Sequence, residues 1–262
     1  MFFAIFACEN PIEHDIRASG NRYMVVEAII TNENKKHEIS LHYSVPDLNV
    51  TAQAVSKAEV SVFDGTGLYT FSESTEVPGL YISDEKFIAA VNRVYYLQIN
   101  HAGKSYTAAS TVLPVSDFDP VGYFEKENGM YALNNIPPAF SPTENAMHKI
   151  TIDWSHLPEY ADSSKQETTI LTYYYTLNTL DVAEFFAPET ESLEFPPGAV
   201  ITHRKYSLNK QHAAYVRSFL IETQWRGGFF DAEHGNTETN LSEGALGFFG
   251  TCSVIEKQVI VE

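Results

Sequence analysis

Cys8 is the residue in this chain with the clearest chemical assignment. It closes the apolar start Met1-Phe2-Phe3-Ala4-Ile5-Phe6-Ala7, and the residues after it turn polar: Glu9, Asn10, Pro11, Glu13, His14 and Asp15. Ile5 supplies the branched apolar position three before the Cys, and Ala7 the small position directly before it. A bacterial lipoprotein signal ends this way. The peptidase cuts before the Cys, the thiol carries a diacylglyceryl group, and the new amine is acylated. Two features depart from the pattern. Phe6 is bulkier than usual, and seven residues without Lys or Arg fall short of the basic n-region and longer apolar stretch of a secretory signal. The competing reading is a buried first strand in which Cys8 is a small hydrophobe.

The other reactive residue types are less specific. Cys252 lies in Phe248-Phe249-Gly250-Thr251-Cys252-Ser253-Val254, a setting that favours a buried structural thiol over a nucleophile. A disulfide with Cys8 is open in an oxidising compartment, whereas lipidation of Cys8 leaves Cys252 alone. Nine histidines raise the question of a metal. None stands at a ligand spacing, and His203 and His212 can meet only through tertiary structure. The acidic stretch Asp181 to Glu194, with Glu184, Glu189 and Glu191, offers the hard oxygens that calcium takes. It lacks the Asp/Asn/Gly loop pattern and reads as a solvated loop. Asp117 and Asp119 flank Phe118 in a linker turn. No Gly-x-Ser-x-Gly elbow and no glycine-rich phosphate loop is present. These residues point to no catalytic group, no cofactor and no metal. Trp225, Phe229 and Phe230, beside Gly227-Gly228, form the candidate ligand or partner patch, with capping of the core as the competing reading.

The chain that positions these residues has 262 of them, 44% hydrophobic and 19% charged, a globular composition. That length should bury roughly 70–75% of the unfolded surface. No apolar run after Cys8 approaches the roughly 20 residues of a membrane-crossing helix. Acids outnumber bases 34 to 17, for a net charge of −17. The excess is concentrated late: residues 8–115 carry 13 acids and 8 bases, residues 116–262 carry 21 and 9. Such a surface repels phosphate backbones, which excludes nucleic acid as a partner. It repels anionic lipid headgroups too, so attachment to a membrane requires an acyl anchor.

Residues 1–8 read as a truncated signal and 9–21 as a tether. Strands are expected over Tyr23–Thr31, Glu38–Ser44, Lys57–Phe63, Gly67–Ser72, Gly79–Ser83, Arg93–Asn100 and Lys104–Leu113, with turns at Asp64-Gly65 and His101-Ala102-Gly103. About seven short strands at regular spacing predict an immunoglobulin-like or transthyretin-like β-sandwich over residues 22–115. From 116 to 262 a β-rich domain with one amphipathic helix is expected. Its strands fall at His148–Ser155, Thr168–Leu177 and twice within 245–262. Tyr173 to Tyr175 must place a ring on each face of their strand. The helix is expected at about 208–226, capped by Ser207 and stopped by Gly227-Gly228, with Leu208, His212, Tyr215, Val216, Phe219 and Leu220 as its buried stripe.

The order of these pieces is familiar. The lipobox Cys is followed by Val25 to Asn32 (VVEAIITN), Lys57 to Gly65 (KAEVSVFDG), Tyr95 to Ile99 (YYLQI) and Gly103 to Tyr106 (GKSY). Later come the helix, Gly235-Asn236 through Asn240, Gly244 to Phe249 (GALGFF) and a final strand from Val254 to Val261. Over nearly its whole length the chain resembles the Bacteroidota outer-membrane lipoproteins grouped as domain-of-unknown-function family four-two-four-nine. The resemblance implies a lipid-anchored accessory protein of the outer membrane, often encoded beside TonB-dependent transporters. It carries over Cys8 alone as a functional residue. The expected function is a non-enzymatic binding or accessory subunit in nutrient uptake. The alternative is a structural or adhesive surface module that binds a polymer or a neighbouring protein.

Overall fold

The computed structural model describes residues 22–45, 49–179, 193–223 and 237–262. Cys8, the 9–21 tether, Trp225, Phe229, Phe230 and the acidic stretch up to residue 192 lie outside them. Seven strands come first: β1 (Met24–Thr31), β2 (Glu38–Tyr43), β3 (Glu59–Phe63), β4 (Leu68–Glu73), β5 (Leu80–Ser83), β6 (Val94–His101) and β7 (Lys104–Thr111). The second half adds β8 (Gly122–Glu125), β9 (Tyr131–Asn134), β10 (Ala146–Asp153), β11 (Thr169–Thr176), β12 (Glu194–Phe195) and β13 (Val200–Ser207). It ends with the helix α1 (Lys210–Thr223), β14 (Ala245–Cys252) and β15 (Val254–Ile260). With 47% strand and 8% helix, the protein is mainly β as expected.

Side-chain alternation explains the first sheet. Met24, Val26, Ala28 and Ile30 of β1 are buried, while Glu27 and Ile29 between them are exposed. The β6–β7 hairpin turns through Ala102 and Gly103, both at positive φ (48° and 76°), the geometry of a two-residue turn that matches strand twist. Eight strands run in the order β14-β1-β2-β5-β4-β3-β6-β7. β14, from the far end of the chain, joins β1 in parallel, with Met24 opposite Ala245 and Thr31 opposite Cys252. The sheet curls until its two edges meet. Asn240 bridges them, its Nδ2 donating to Ala109 O (3.1 Å) and Phe249 O (2.8 Å). Ser110 Oγ accepts from Thr251 N (3.1 Å). Ala245 and Phe249 of β14 thus complete the core of the first sheet, and Cys252 on its other face packs under α1.

A four-stranded sheet, β11-β10-β13-β15, and a three-stranded one, β12-β9-β8, make up the rest. One face of the four-stranded sheet is largely buried, and the other is covered at the end next to α1, leaving Leu171, Tyr173 and Ile260 exposed. Ile150, Ile152 and Ile201 pack towards Phe195 and Val121, and Met147 and Tyr206 towards Leu208, Val216 and Leu220 of the α1 region. Tyr174 and Tyr175 divide between those two cores, as the tyrosine run requires.

Two local expectations need correction. The helix is capped by Asn209, whose Oδ1 accepts from His212 N (2.9 Å); Ser207 is the last residue of β13. Strand β13 itself has no counterpart in the sequence reading. Its sequence VITHRKYS places Thr, His, Arg, Lys and Ser among eight residues, so nothing marked it as central.

Candidate functional site

The polarity of β13 has a structural cause. His203, Lys205 and Ser207 share one face by the two-residue period, and each holds one group of the 113–121 connector. Ser207 Oγ donates to Leu113 O (2.7 Å). Lys205 Nζ donates to Ser116 Oγ (2.6 Å) and to Glu144 Oε2 (2.8 Å). His203 Nδ1 accepts from Val121 N (3.2 Å). Phe118 of the connector stands edge-on to the His203 ring at 4.5 Å, and Lys257 of β15 pairs with Asp117 at 2.8 Å. So Asp117 is one half of an ion pair rather than one of two cooperating carboxylates.

Beside His203 lies His148 of β10, Nδ1 to Nε2 at 2.9 Å, both rings buried. A backbone N–H can only donate, so Val121 fixes His203 with its proton on Nε2. That proton goes to His148 Nδ1, which leaves the His148 proton on Nε2, facing Thr176 Oγ1 at 3.4 Å. Thr176 in turn donates to Pro138 O (2.6 Å). Four donors therefore run in one direction from Val121 to Pro138. Burial drives both rings to the neutral form. It pushes His148 down to about 3, helped by His203 and Lys205, and His203 down to about 4, helped by Lys205 and Lys257.

A cavity of about 230 Å³ adjoins the pair, lined by Phe118, Pro138, Glu144, His148, His203 and Lys205 among others. The polar groups around it answer one another. Both nitrogens of each ring are engaged, so neither is free to take a proton from a ligand. Burial raises the Glu144 carboxyl, but the Lys205 ammonium and Ser116 hydroxyl outweigh it and hold Glu144 below the usual carboxylate range. Ser116 donates to that carboxylate (2.8 Å) and is not poised as a nucleophile. The cluster is a latch for the connector.

Cys252 is a free, buried thiol, as its sequence setting suggested. Its Sγ lies 3.7 Å from His212 Nδ1, the spacing of a catalytic pair. The protonation states argue otherwise. Burial pushes the thiol up to about 12 and His212 down to about 4, so the pair is neutral on both sides and buried away from any ligand. Gly250 makes room for that imidazole: a Cβ there would stand 2.7 Å from His212 Cε1. His203 pairs with His148 and not with His212, and among the described residues no three metal-ligating side chains gather. Glu194, the one described member of the acidic stretch at 181–194, is held by Lys126 and Asn128.

The outer face of the first sheet shows a different kind of site. Leu68, Phe63, Tyr96 and Ala109 stand in register across β4, β3, β6 and β7. Three of them are well exposed: Leu68 by 65%, Tyr96 by 49% and Phe63 by 42%. Together with Ser61, Gln98, Thr107, Asn240 and Ser242 they line a shallow groove of about 600 Å³. A signal for it exists in the sequence. Val60 and Val62 set the inward phase of β3, which leaves Phe63 on the phase that water should claim. Tyr96 stands the same way between Tyr95 and Leu97. Of the residues first considered for partner binding, Trp225, Phe229 and Phe230 lie outside the described residues, as does Cys8.

Residues 9–258 match the model of a family described as Domain of unknown function (DUF4249). No curated protein matches the chain.

Proposed function

The chain belongs to the family described as Domain of unknown function (DUF4249), and we propose that it is a non-enzymatic binding or accessory module of an outer-membrane lipoprotein, held by an acyl anchor at Cys8 and working with a TonB-dependent transporter in nutrient uptake. The observation that carries the reading is the apolar row Leu68–Phe63–Tyr96, set on a rigid sheet and facing water. Side chains of this type, presented flat across three strands, suit a protein surface better than a small ligand. The two buried clusters described above support a non-catalytic role: the His148–His203–Lys205 cluster is satisfied internally, and the Cys252–His212 pair is neutral and buried. Thirteen residues separate Cys8 from Arg22, a reach of at most about 45 Å when extended. Confinement to such a layer raises the effective concentration of the module at a membrane partner without any new contact. The net charge of −17 keeps the module itself off anionic headgroups.

Two substitutions separate the anchor from the contact surface. Cys8→Ser, in a full-length signal context, should move the protein from membrane to soluble fractions, read by fractionation and mass spectrometry of the N-terminus. Leu68→Glu with Tyr96→Ser should leave membrane partitioning and folding intact and abolish co-purification of a transporter barrel from detergent-solubilised membranes. Retention of the barrel by that double variant would reject the row as the contact. The second reading is a structural or adhesive module that binds a polymer. Gln98 and Thr107, which line the same groove as Tyr96, favour it, because rings flanked by hydrogen-bonding side chains suit a polysaccharide. Binding of a surface polymer, with no transporter recovered, would decide for it.

A further inference from the structure

The open edges of the two smaller sheets differ in charge. β15 carries Glu256 and Lys257, and β8 and β12 carry Glu125 and Glu194. Charged side chains on an edge strand discourage other chains from pairing with it. β11, the remaining edge, reads TILTYYYT, with no charge, proline or glycine. Trp154 N–H donates to Thr168 O (3.0 Å), which makes these two residues a hydrogen-bonded pair of the β10–β11 ladder. Pairs of that type recur at every second residue. Ile170, Thr172, Tyr174 and Thr176 therefore bond towards β10, while Thr169, Leu171, Tyr173 and Tyr175 turn their N–H and C=O groups outwards. Leu177, next in the outward phase, shows the edge in use. Its N–H donates to Ala139 O (2.8 Å) and its O accepts from Ser141 N–H (3.0 Å), a short parallel pairing. Pro137 and Pro138 stop that pairing from running back along β11, because they have no N–H to give. Among the described residues, nothing pairs with the outward groups of Leu171 and Tyr173.

We propose that the β11 edge docks an extended segment of a partner protein, basic at its ends and apolar at alternate positions, as a fifth strand of this sheet. In such an addition main-chain groups supply the bonds, and side chains at every second position supply the selectivity. Leu171 and Tyr173 are 51% and 43% exposed, so apolar side chains of the incoming strand have surface to cover. A cleft of about 640 Å³ meets β11 at Tyr173, with Ile29, Glu27 and Glu38 in its lining. Among the described residues neither carboxylate has a hydrogen bond or ion pair, so a basic flank on the segment finds a partner there. Lys35 and Lys36 share that lining, but Lys35 is committed to Glu33 at 2.7 Å. Charge also decides against a second copy of this chain as the occupant, since two molecules of −17 repel each other. The β11 edge belongs to a different sheet from the Leu68–Phe63–Tyr96 row and does not rest on the role given to that row.

The test is amide hydrogen exchange and chemical-shift NMR of the full chain, free and with a blocked peptide of alternating Val and Thr flanked by Lys. In the free protein the Leu171 and Tyr173 amides should exchange at least about a hundredfold faster than those of Thr172 and Tyr174, which are bonded to β10. The peptide should bind saturably and slow those two amides. The same peptide flanked by Glu should bind at least about tenfold more weakly. Leu171→Pro removes one outward donor without touching the bonds to β10 and should abolish binding. Leu171→Lys, at an exposed position, should weaken the Lys-flanked peptide at least about tenfold, and it decides the matter if Leu171→Pro does not fold. Slow exchange of both amides in the free monomer would mean that the chain covers its own edge. Protection that rises with protein concentration would mean that a second copy does. Either result overturns the proposal, as would equal binding of the Glu-flanked peptide, binding untouched by the Leu171 substitutions, or no saturable binding of the Lys-flanked peptide.

Discussion

A proton added to either imidazole of the His148–His203 pair meets a donor where it needs an acceptor. Val121 N–H already points at His203 Nδ1, and the His203 proton already points at His148 Nδ1. Folding therefore requires both rings neutral, whereas the unfolded chain protonates them near 6.5. The sign follows. The folded-state values are depressed, to about 4 and about 3, so the unfolded state binds more protons in the window between those values and 6.5. Stability should be full above that window and fall as pH drops through it, with each ring adding up to about 1.4 kcal/mol per pH unit. His203→Gln preserves one acceptor for Val121 and one donor for His148 but cannot titrate. Urea denaturation at stepped pH should give the Gln variant a shallower fall between 6.5 and 4 than the parent; an identical fall would remove the relay from consideration. None of this was legible beforehand, because 55 residues separate the two rings and neither stands in a recognisable spacing.

At the scale of elements, the junction between β13 and α1 shows how a cap can serve two structures. Asn209 Oδ1 caps the helix, while its Nδ2 donates to Ser110 Oγ (2.9 Å) and Thr111 O (3.2 Å) at the end of β7. Asn209→Ala should cost about 2 kcal/mol, the cap plus a buried hydrogen bond. Asn209→Asp should recover the cap and leave the β7 bonds unmade, so its denaturation midpoint should fall between those of Asn and Ala. The helix was visible from the spacing of Leu208, His212, Tyr215, Val216, Phe219 and Leu220, since a 3.6-residue period survives any tertiary arrangement, but Phe219, expected in the buried stripe, stands 43% exposed at its edge. The true cap of the helix was not visible. Ser207 and Asn209 are equally good capping types, and the choice fell to Asn209 because β13 runs through Ser207 and uses its hydroxyl on Leu113 and Ser253.

For the whole molecule, the pairing of β1 with β14 makes the first sheet depend on the last part of the chain. A fragment ending at residue 115 would expose the β1 edge and leave the sheet unclosed, and such an edge is a site of misfolding and aggregation. It should show poor amide dispersion or aggregate alone and regain native spectra when co-expressed with residues 116–262; a well-folded isolated fragment would contradict the closure described above. The amino-acid order alone determined the mainly β character, the seven early strands, the helix and the family, because alternation, turn residues and motif order are local properties of a chain. It carries a signal for Phe63 and Tyr96 as well, their apolar type on a polar phase, but only the register across β3 and β6 brought them together. The tertiary structure alone decided that β14 crosses to the first sheet, that β13 is central despite its polar face, and that Cys252 and His212 meet as neutral partners. Those outcomes depend on burial and on contacts between distant segments, and burial sets protonation and pairing through desolvation, which no local pattern of residues records.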